Sequence, residues 1–171
     1  MKERTDMSIT VQQVDYHNKH QCEDLVYLLD NYARDLMGRG EPLSDVVKQN
    51  LTIELQKLPT AFSLICYVDE QPAGLINAIM GFSTFKCQPL INIHDLAVIK
   101  AFRGQGVSQL LLNEVQQLAI NKGCCKITLE VLEGNTIARN AYQKFGFAGY
   151  QLDPNMGQAM LWQKFIYSSP W

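Results

Sequence analysis

Ala97-Val98-Ile99-Lys100-Ala101-Phe102-Arg103-Gly104-Gln105-Gly106-Val107-Ser108-Gln109-Leu110-Leu111 carries an apolar strand into an arginine and two closely spaced glycines, then straight into an amphipathic helix. Glycine lets the backbone turn tightly and approach a ligand closely. The first turn of the helix presents unpaired N–H groups and the positive end of its dipole, which suits a phosphate or pyrophosphate. Residues 103–109 are therefore expected to hold a phosphate-bearing cofactor.

The rest of the chain narrows the setting. Its 171 residues suit one domain with a full core, residues 1–171, with residues 1–7 as a loose start. With 47% apolar and 19% charged residues it has an ordinary globular composition. A net charge of −2 gives no field that points to nucleic acid or an anionic membrane. No apolar run approaches the ~20 residues that cross a bilayer, and Met1–Thr10 lacks the apolar centre of a signal peptide. The five cysteines are odd in number and lack metal-ligand spacing, so reduced thiols, a cytoplasmic location and no metal are expected. Cys125 is expected on the apolar face of a strand.

Hydrophobic periodicity orders the elements. Strands are expected at Met7–Val14, Ala61–Val68, Ala73–Phe82, Leu90–Ile99 and Cys125–Leu132, with a closing hairpin of Phe147–Leu152 and Gln158–Ile166 around Asp153-Pro154-Asn155. Helices are expected at His20–Met37, from a cap near Ser44 to Leu58, at Gly106–Asn121 and at Thr136–Phe145. Gly74 and Gly81 mark bulges or close approaches. The order predicts a mixed α/β fold: a mostly antiparallel sheet of about seven strands with helices on both faces.

Three phosphate-binding patterns compete for residues 103–109. A nucleotide-triphosphate loop needs a lysine and a hydroxyl residue after its last glycine, but Val107 and Ser108 follow Gly106. A dinucleotide fingerprint needs a third small residue where Gln109 stands, early in the chain rather than past its middle. The third pattern fits. Arg103-x-x-Gly106-x-Ser108 resembles the Arg/Gln-x-x-Gly-x-Gly/Ala signature of the GNAT N-acetyltransferase superfamily. Asn135-Thr136-Ile137-Ala138-Arg139-Asn140-Ala141-Tyr142-Gln143-Lys144-Phe145-Gly146-Phe147 resembles that family's Asn-x-x-Ala-x-x-x-Tyr-x-x-x-Gly-Phe segment. Ser108 departs from the signature, yet it is small and its hydroxyl is a further phosphate donor.

The resemblance implies an acetyl-CoA-dependent N-acetyltransferase that passes the acetyl group directly to a primary amine of a small molecule or peptide. A non-catalytic acyl-CoA-binding module of the same fold is the alternative. The N–H groups of Arg103, Gly104, Gln105, Gly106, Val107, Ser108 and Gln109 would cradle the pyrophosphate, with charge from the Arg103 side chain. Leu96, Ala97 and Val98 would pair with the pantetheine arm, and the Val98 N–H would polarise the thioester carbonyl. Asn135 would contact the cofactor while also capping its helix. Tyr142 would act as general acid towards the leaving thiolate. For the general base, the resemblance points to His94, where polyamine-type members carry a glutamate; a histidine ordinarily titrates near ~6.5. A relayed water is the rival. Asp95 is next to His94, but strand alternation turns the two to opposite faces unless a bulge intervenes. The acceptor cleft would involve Leu36–Leu43 with Arg39, and Asp30, Asp35, Glu41 and Asp45 either attract a cationic amine or form a solvated face. A homodimer is common for such folds, and Trp171 would pack on the domain or on a partner subunit.

Overall fold

The computed structural model describes residues 7–151 and 153–166. The loose start lies outside the described residues except for Met7, as does the segment ending in Trp171. The elements are β1 (Ile9–Gln13), α1 (Lys19–Arg34), α2 (Asp45–Gln56), β2 (Ala61–Val68), β3 (Gln71–Ser83), β4 (Gln88–Val98), α3 (Val107–Asn121), β5 (Ile127–Leu129) and α4 (Thr136–Phe145). The strands form one sheet in the order β1-β2-β3-β4-β5. Neighbours are antiparallel except β4 and β5, which run parallel.

Both faces of this sheet are covered. Leu25 and Leu28 of α1 pack on Ile65, Tyr67 and Leu75. Val107, Leu111, Leu112 and Val115 of α3 pack on Leu64, Cys66, Ile76 and Ile91 on the other face. Each such fully buried aliphatic side chain stabilises the fold by about 1.5–3 kcal/mol. Double coverage explains why β2 reads as one apolar run rather than an alternation. Gly74 lets α3 sit close to the sheet. A Cβ there would stand 2.9 Å from the Ala97 carbonyl oxygen and 2.9 Å from Val107 Cγ1. At Gly81 the corresponding neighbour is Leu90 Cδ1, 3.1 Å away.

Several expectations need correction. Among the described residues the sheet has five strands, not about seven. Among the described residues of the expected closing hairpin, an isolated bridge pairs Gln151 with Gln158 and the Ala159 N–H bonds the Tyr150 carbonyl at 3.3 Å, while a 3-10 turn occupies Pro154–Met156. Leu152 lies outside the described residues. Leu161, Trp162, Phe165 and Ile166 are exposed, so the alternation there finds no second strand to bury it. Cys125 precedes β5, and its N–H bonds the Pro89 carbonyl at 2.9 Å. The first helix stops at Arg34 rather than Met37 because Asp35 turns extended, with ψ 147. The Asp35 carboxylate then accepts the Met37 N–H at 3.0 Å.

Two irregularities of β4 prepare the site. Asn77 pairs with Asp95 while Ala78 pairs with Ile93, so His94 is an extra residue and β4 is bulged there. Ile93 and Leu96 consequently pack in the same core layer although three positions separate them. The second irregularity is a parting of strands: β5 pairs with β4 only at Ile91, Asn92 and Ile93. Beyond that point β4 runs on to Val98 with its β5 side open.

Candidate active site

Backbone direction decides what the open edge of β4 offers. The Ile99 N–H bonds the Ala73 carbonyl at 2.9 Å and so faces β3. Because successive strand amides alternate in direction, Val98 and Leu96 turn theirs away from β3, into the opening left by β5. Ala97 turns its amide to β3, opposite Leu75, so of the three expected pantetheine contacts its backbone is already engaged.

The mouth of α3 adjoins this edge. Gly104 and Gly106 have φ values of +79° and +83°, in the left-handed region that favours glycine. Open space surrounds both, so backbone conformation alone selects them. The first intrahelical bond runs from the Leu110 N–H to the Gly106 carbonyl at 3.1 Å. The N–H groups of Val107, Ser108 and Gln109 are therefore the helix's open donors. The other α-helices are closed by a side chain: Asn18 caps α1, Ser44 caps α2 and Asn135 caps α4, whereas α3 has no side-chain cap.

The side chains of the glycine loop are largely committed elsewhere. Arg103 Nε donates to the Val98 carbonyl at 3.0 Å, and its Nη2 to Asp35 Oδ2 at 2.8 Å. Its charge is thus drawn to the end of α1 rather than to the α3 mouth. Gln105 Nε2 donates to the Ala101 carbonyl at 3.1 Å. Gln109 Nε2 donates to the Ala141 carbonyl at 3.2 Å and ties α3 to α4. Val107 is buried and Ser108 half-buried. Asn135 Oδ1 accepts the Ala138 N–H at 3.2 Å, which leaves its amide nitrogen for a ligand.

Tyr142 is buried in the α3-side core, with its ring edge-on to Phe147 at 5.9 Å between centroids. Burial, assisted by Tyr32, pushes its phenol up to about 12. Tyr32 of α1 is itself pushed up by burial and by the Asp95 and Asp35 carboxylates. It lines a cleft of about 220 Å³ with Leu28, Asp35, Ala97, Val98 and Arg103. His94 is exposed on the bulge. Burial raises Asp95, against the opposing effects of an Asn77 hydrogen bond and of His94. The bulge removes the alternation that separated His94 from Asp95, because two residues now lie between Ile93 and Leu96 of one core face. Sequence reading missed Tyr32, Asn77 and Ser63, and set Asp95 aside; the glycine-free strand offers no local mark of its bulge.

A model of the acetyltransferase (GNAT) family matches residues 16–147. The chain belongs to that family. Among curated relatives, the thialysine N-epsilon-acetyltransferase of Mus musculus is 36% identical over 56 residues, 33% of each chain. The aminoglycoside N(6')-acetyltransferase type 1 of Salmonella typhimurium is 32% identical over 59 residues, 34% of this chain and 41% of that one. The matches thus span a third to two fifths of those relatives' length. Solved structures share the GNAT fold over nearly the whole chain. An aminoglycoside N-acetyltransferase in complex with CoA superposes with a TM-score of 0.70 at 22% identity, covering 92% of this chain and 95% of that one. A probable acetyltransferase superposes with a TM-score of 0.75 at 18% identity, covering 91% and 99%.

Most of the carboxylates expected to attract an amine serve the fold. Asp30 accepts from Arg34 at 3.0 Å and from the Leu43 N–H at 2.8 Å, and pairs with Lys48 at 3.2 Å. Glu41 pairs with Arg39 at 3.0 Å. Asp45 opens α2. Among the described residues no group of three His, Cys, Asp or Glu side chains could hold a metal ion, and no helix is long and apolar enough to cross a membrane.

Proposed function

We propose that this protein transfers the acetyl group of acetyl-CoA directly to a primary amine. The observation that supports it most is the juxtaposition of an uncapped α3 N-terminus with the Leu96–Val98 edge of β4, which no strand pairs on its β5 side among the described residues. Bare helical amides suit a pyrophosphate, and a free strand edge suits an amide-bearing arm. The family's membership and the CoA complex of a structural neighbour point the same way.

Acetyl-CoA supplies an activated acyl group; the protein's residues bind, orient and move protons. Val107, Ser108 and Gln109 donate backbone N–H groups to the pyrophosphate, and the Gly104–Gly106 turn brings the chain close. Leu96 and Val98 pair with the pantetheine arm. Asn135 adds its amide nitrogen. The Val98 N–H donates to the thioester carbonyl, where a comparable oxyanion donor is worth roughly 2.7–4 kcal/mol. The amine nitrogen bonds to the carbonyl carbon as the carbon–sulfur bond breaks. His94 takes the amine's proton. Tyr142, held protonated by burial, gives its proton to the departing sulfur.

Thermal denaturation with and without acetyl-CoA, followed by free-thiol release across polyamines, aminoglycosides, thialysine and peptide amines, tests the reading. A raised melting temperature and amine-dependent thiol release are expected. If neither acetyl-CoA nor CoA shifts the melting temperature, the proposal fails.

A further inference from the structure

A line of hydrogen bonds crosses the α1 face of the sheet and ends at the bulge. Tyr16 Oη lies 2.9 Å from Ser63 Oγ. Ser63 Oγ donates to Asn77 Oδ1 at 2.6 Å, and Asn77 Nδ2 donates to Asp95 Oδ2 at 3.0 Å. The single Ser63 hydroxyl hydrogen goes to Asn77, so the Tyr16 hydroxyl is the donor to Ser63. Every donor therefore points the same way, and the line stops at a carboxylate that only accepts. Hydrogen bonds aligned in this manner polarise one another.

Ser63 is 0% exposed and Asn77 7% exposed. Burying such groups costs free energy that an aliphatic pair at the same two positions would not incur. Their sequence neighbours Leu64, Ile65 and Ile76 follow the aliphatic solution. What distinguishes positions 63 and 77 is where they lead. Asp95 sits on the bulge, beside exposed His94, on the sheet face where Ala97 lines the cleft. The groups that face it are His94 of its own strand, Asn77 of β3 and Tyr32 of α1.

We propose that Tyr16, Ser63 and Asn77 are positioning residues that aim the Asp95 carboxylate as the anchor for the positive charge of the amine acceptor. The inference rests on the acetyltransferase reading above and adds an acceptor class to it: amines that arrive as cations. Burial works against the charged form of Asp95, and the donor line works for it. An ammonium seated on Asp95 lies one residue from His94, where its proton is taken up, and close to the Leu96–Val98 edge.

The test uses Tyr16→Phe, Ser63→Ala, Asn77→Leu and Asp95→Asn in the full chain. The side-chain carboxyl of Asp95 is titrated by carbon NMR, with Asp95→Asn giving the assignment. Kinetics use whichever cationic amine releases thiol fastest, and calorimetry gives acetyl-CoA affinity. Asp95 should titrate about half a pH unit higher in Ser63→Ala and by less in Tyr16→Phe. The KM for the amine should rise roughly tenfold in Asn77→Leu and Asp95→Asn, with acetyl-CoA affinity unchanged. Tyr16→Phe removes one hydroxyl at the half-buried outer end, so it reports even where a buried variant does not fold. An unchanged Asp95 titration in both folded hydroxyl variants, an amine KM unmoved in Asp95→Asn, or acetyl-CoA binding without turnover of any cationic amine overturns the anchor. Loss of acetyl-CoA binding by the unmodified protein overturns the underlying reading instead.

Discussion

Arg103 Nη2 stands 2.8 Å from Asp35 Oδ2, so the arginine that opens the glycine loop is fastened to the residue that ends α1. Its Nε holds the Val98 carbonyl at the same time, which braces the strand edge, the loop and the helix against one another. A lysine carries its three N–H donors on a single nitrogen and lacks the planar fork with which Arg103 reaches the two acceptors from separate nitrogens.

Arg103→Lys should therefore weaken acetyl-CoA binding by about threefold to tenfold while stability falls little, since an ion pair this exposed contributes only about 0.2–1 kcal/mol. Calorimetry and urea midpoints separate the two effects. The hydrogen bond from Arg103 holds Asp35 below the usual carboxylate range, with the Met37 N–H adding to it. A depressed carboxyl stabilises the fold above its unfolded pKa, and that stabilisation is lost as pH falls through the folded value. The melting temperatures of Arg103→Lys and the unmodified protein should thus converge in acid.

Tyr142→Phe should lower kcat for thiol release by about 10²–10⁴-fold with acetyl-CoA affinity retained. Because burial puts the phenol at about 12, Tyr142 stays protonated through the neutral range and adds no alkaline limb below about pH 11. The raised pKa also has a stability sign: the benefit of the neutral phenol is complete below ~10 and is lost as pH rises towards 12. An unchanged kcat in Tyr142→Phe removes the acid role.

Two glycine replacements should fail for different reasons. Gly106→Ala meets open space but must hold φ +83°, a strain of about 1–2 kcal/mol at the α3 mouth. Gly74→Ala has no such conformational demand, yet its methyl meets the Ala97 carbonyl oxygen at 2.9 Å, and such overpacking costs about 1–3 kcal/mol. Denaturant midpoints measure both. Gly74→Ala should additionally weaken acetyl-CoA binding, because Val107 at the start of α3 must move.

Asn135 carries two separable tasks. Asn135→Ala should cost about 0.5–2 kcal/mol by removing the α4 cap. Asn135→Ser retains a capping oxygen and should keep the melting temperature. If the side-chain amide contacts the cofactor, Asn135→Ser alone still loses acetyl-CoA affinity.

The glycine loop, α3 and the Asn135–Phe147 block were legible because each is a local grammar: positive-φ glycines, an apolar stripe at helical spacing, a cap followed by a helix. The limits of α2 and β2 were readable from Ser44 and from the run Ala61–Val68 for the same reason. Ser63, Asn77 and Asp95 were not, since they become neighbours only through the pairing of β2, β3 and β4. The closing hairpin was overcalled because alternation marks a segment able to join a sheet, and joining requires a second edge that no local pattern supplies. Sequence shows the charge that Arg103 could lend to a pyrophosphate but not Asp35, far away in the chain, to which its side chain is tied.

The extra residue at His94 gives β4 something like a shifted reading frame. Upstream, Ile91 and Ile93 point into the α3-side core; downstream, Leu96 and Val98 do. A substitution along this strand changes one position. Flattening the bulge with all its residues kept would change every later one together, turning Leu96 and Val98 to the α1 face and presenting Ala97's amide at the open edge. The bulge between Ile93 and Leu96 is therefore a stricter specification than the identity of most side chains along this strand.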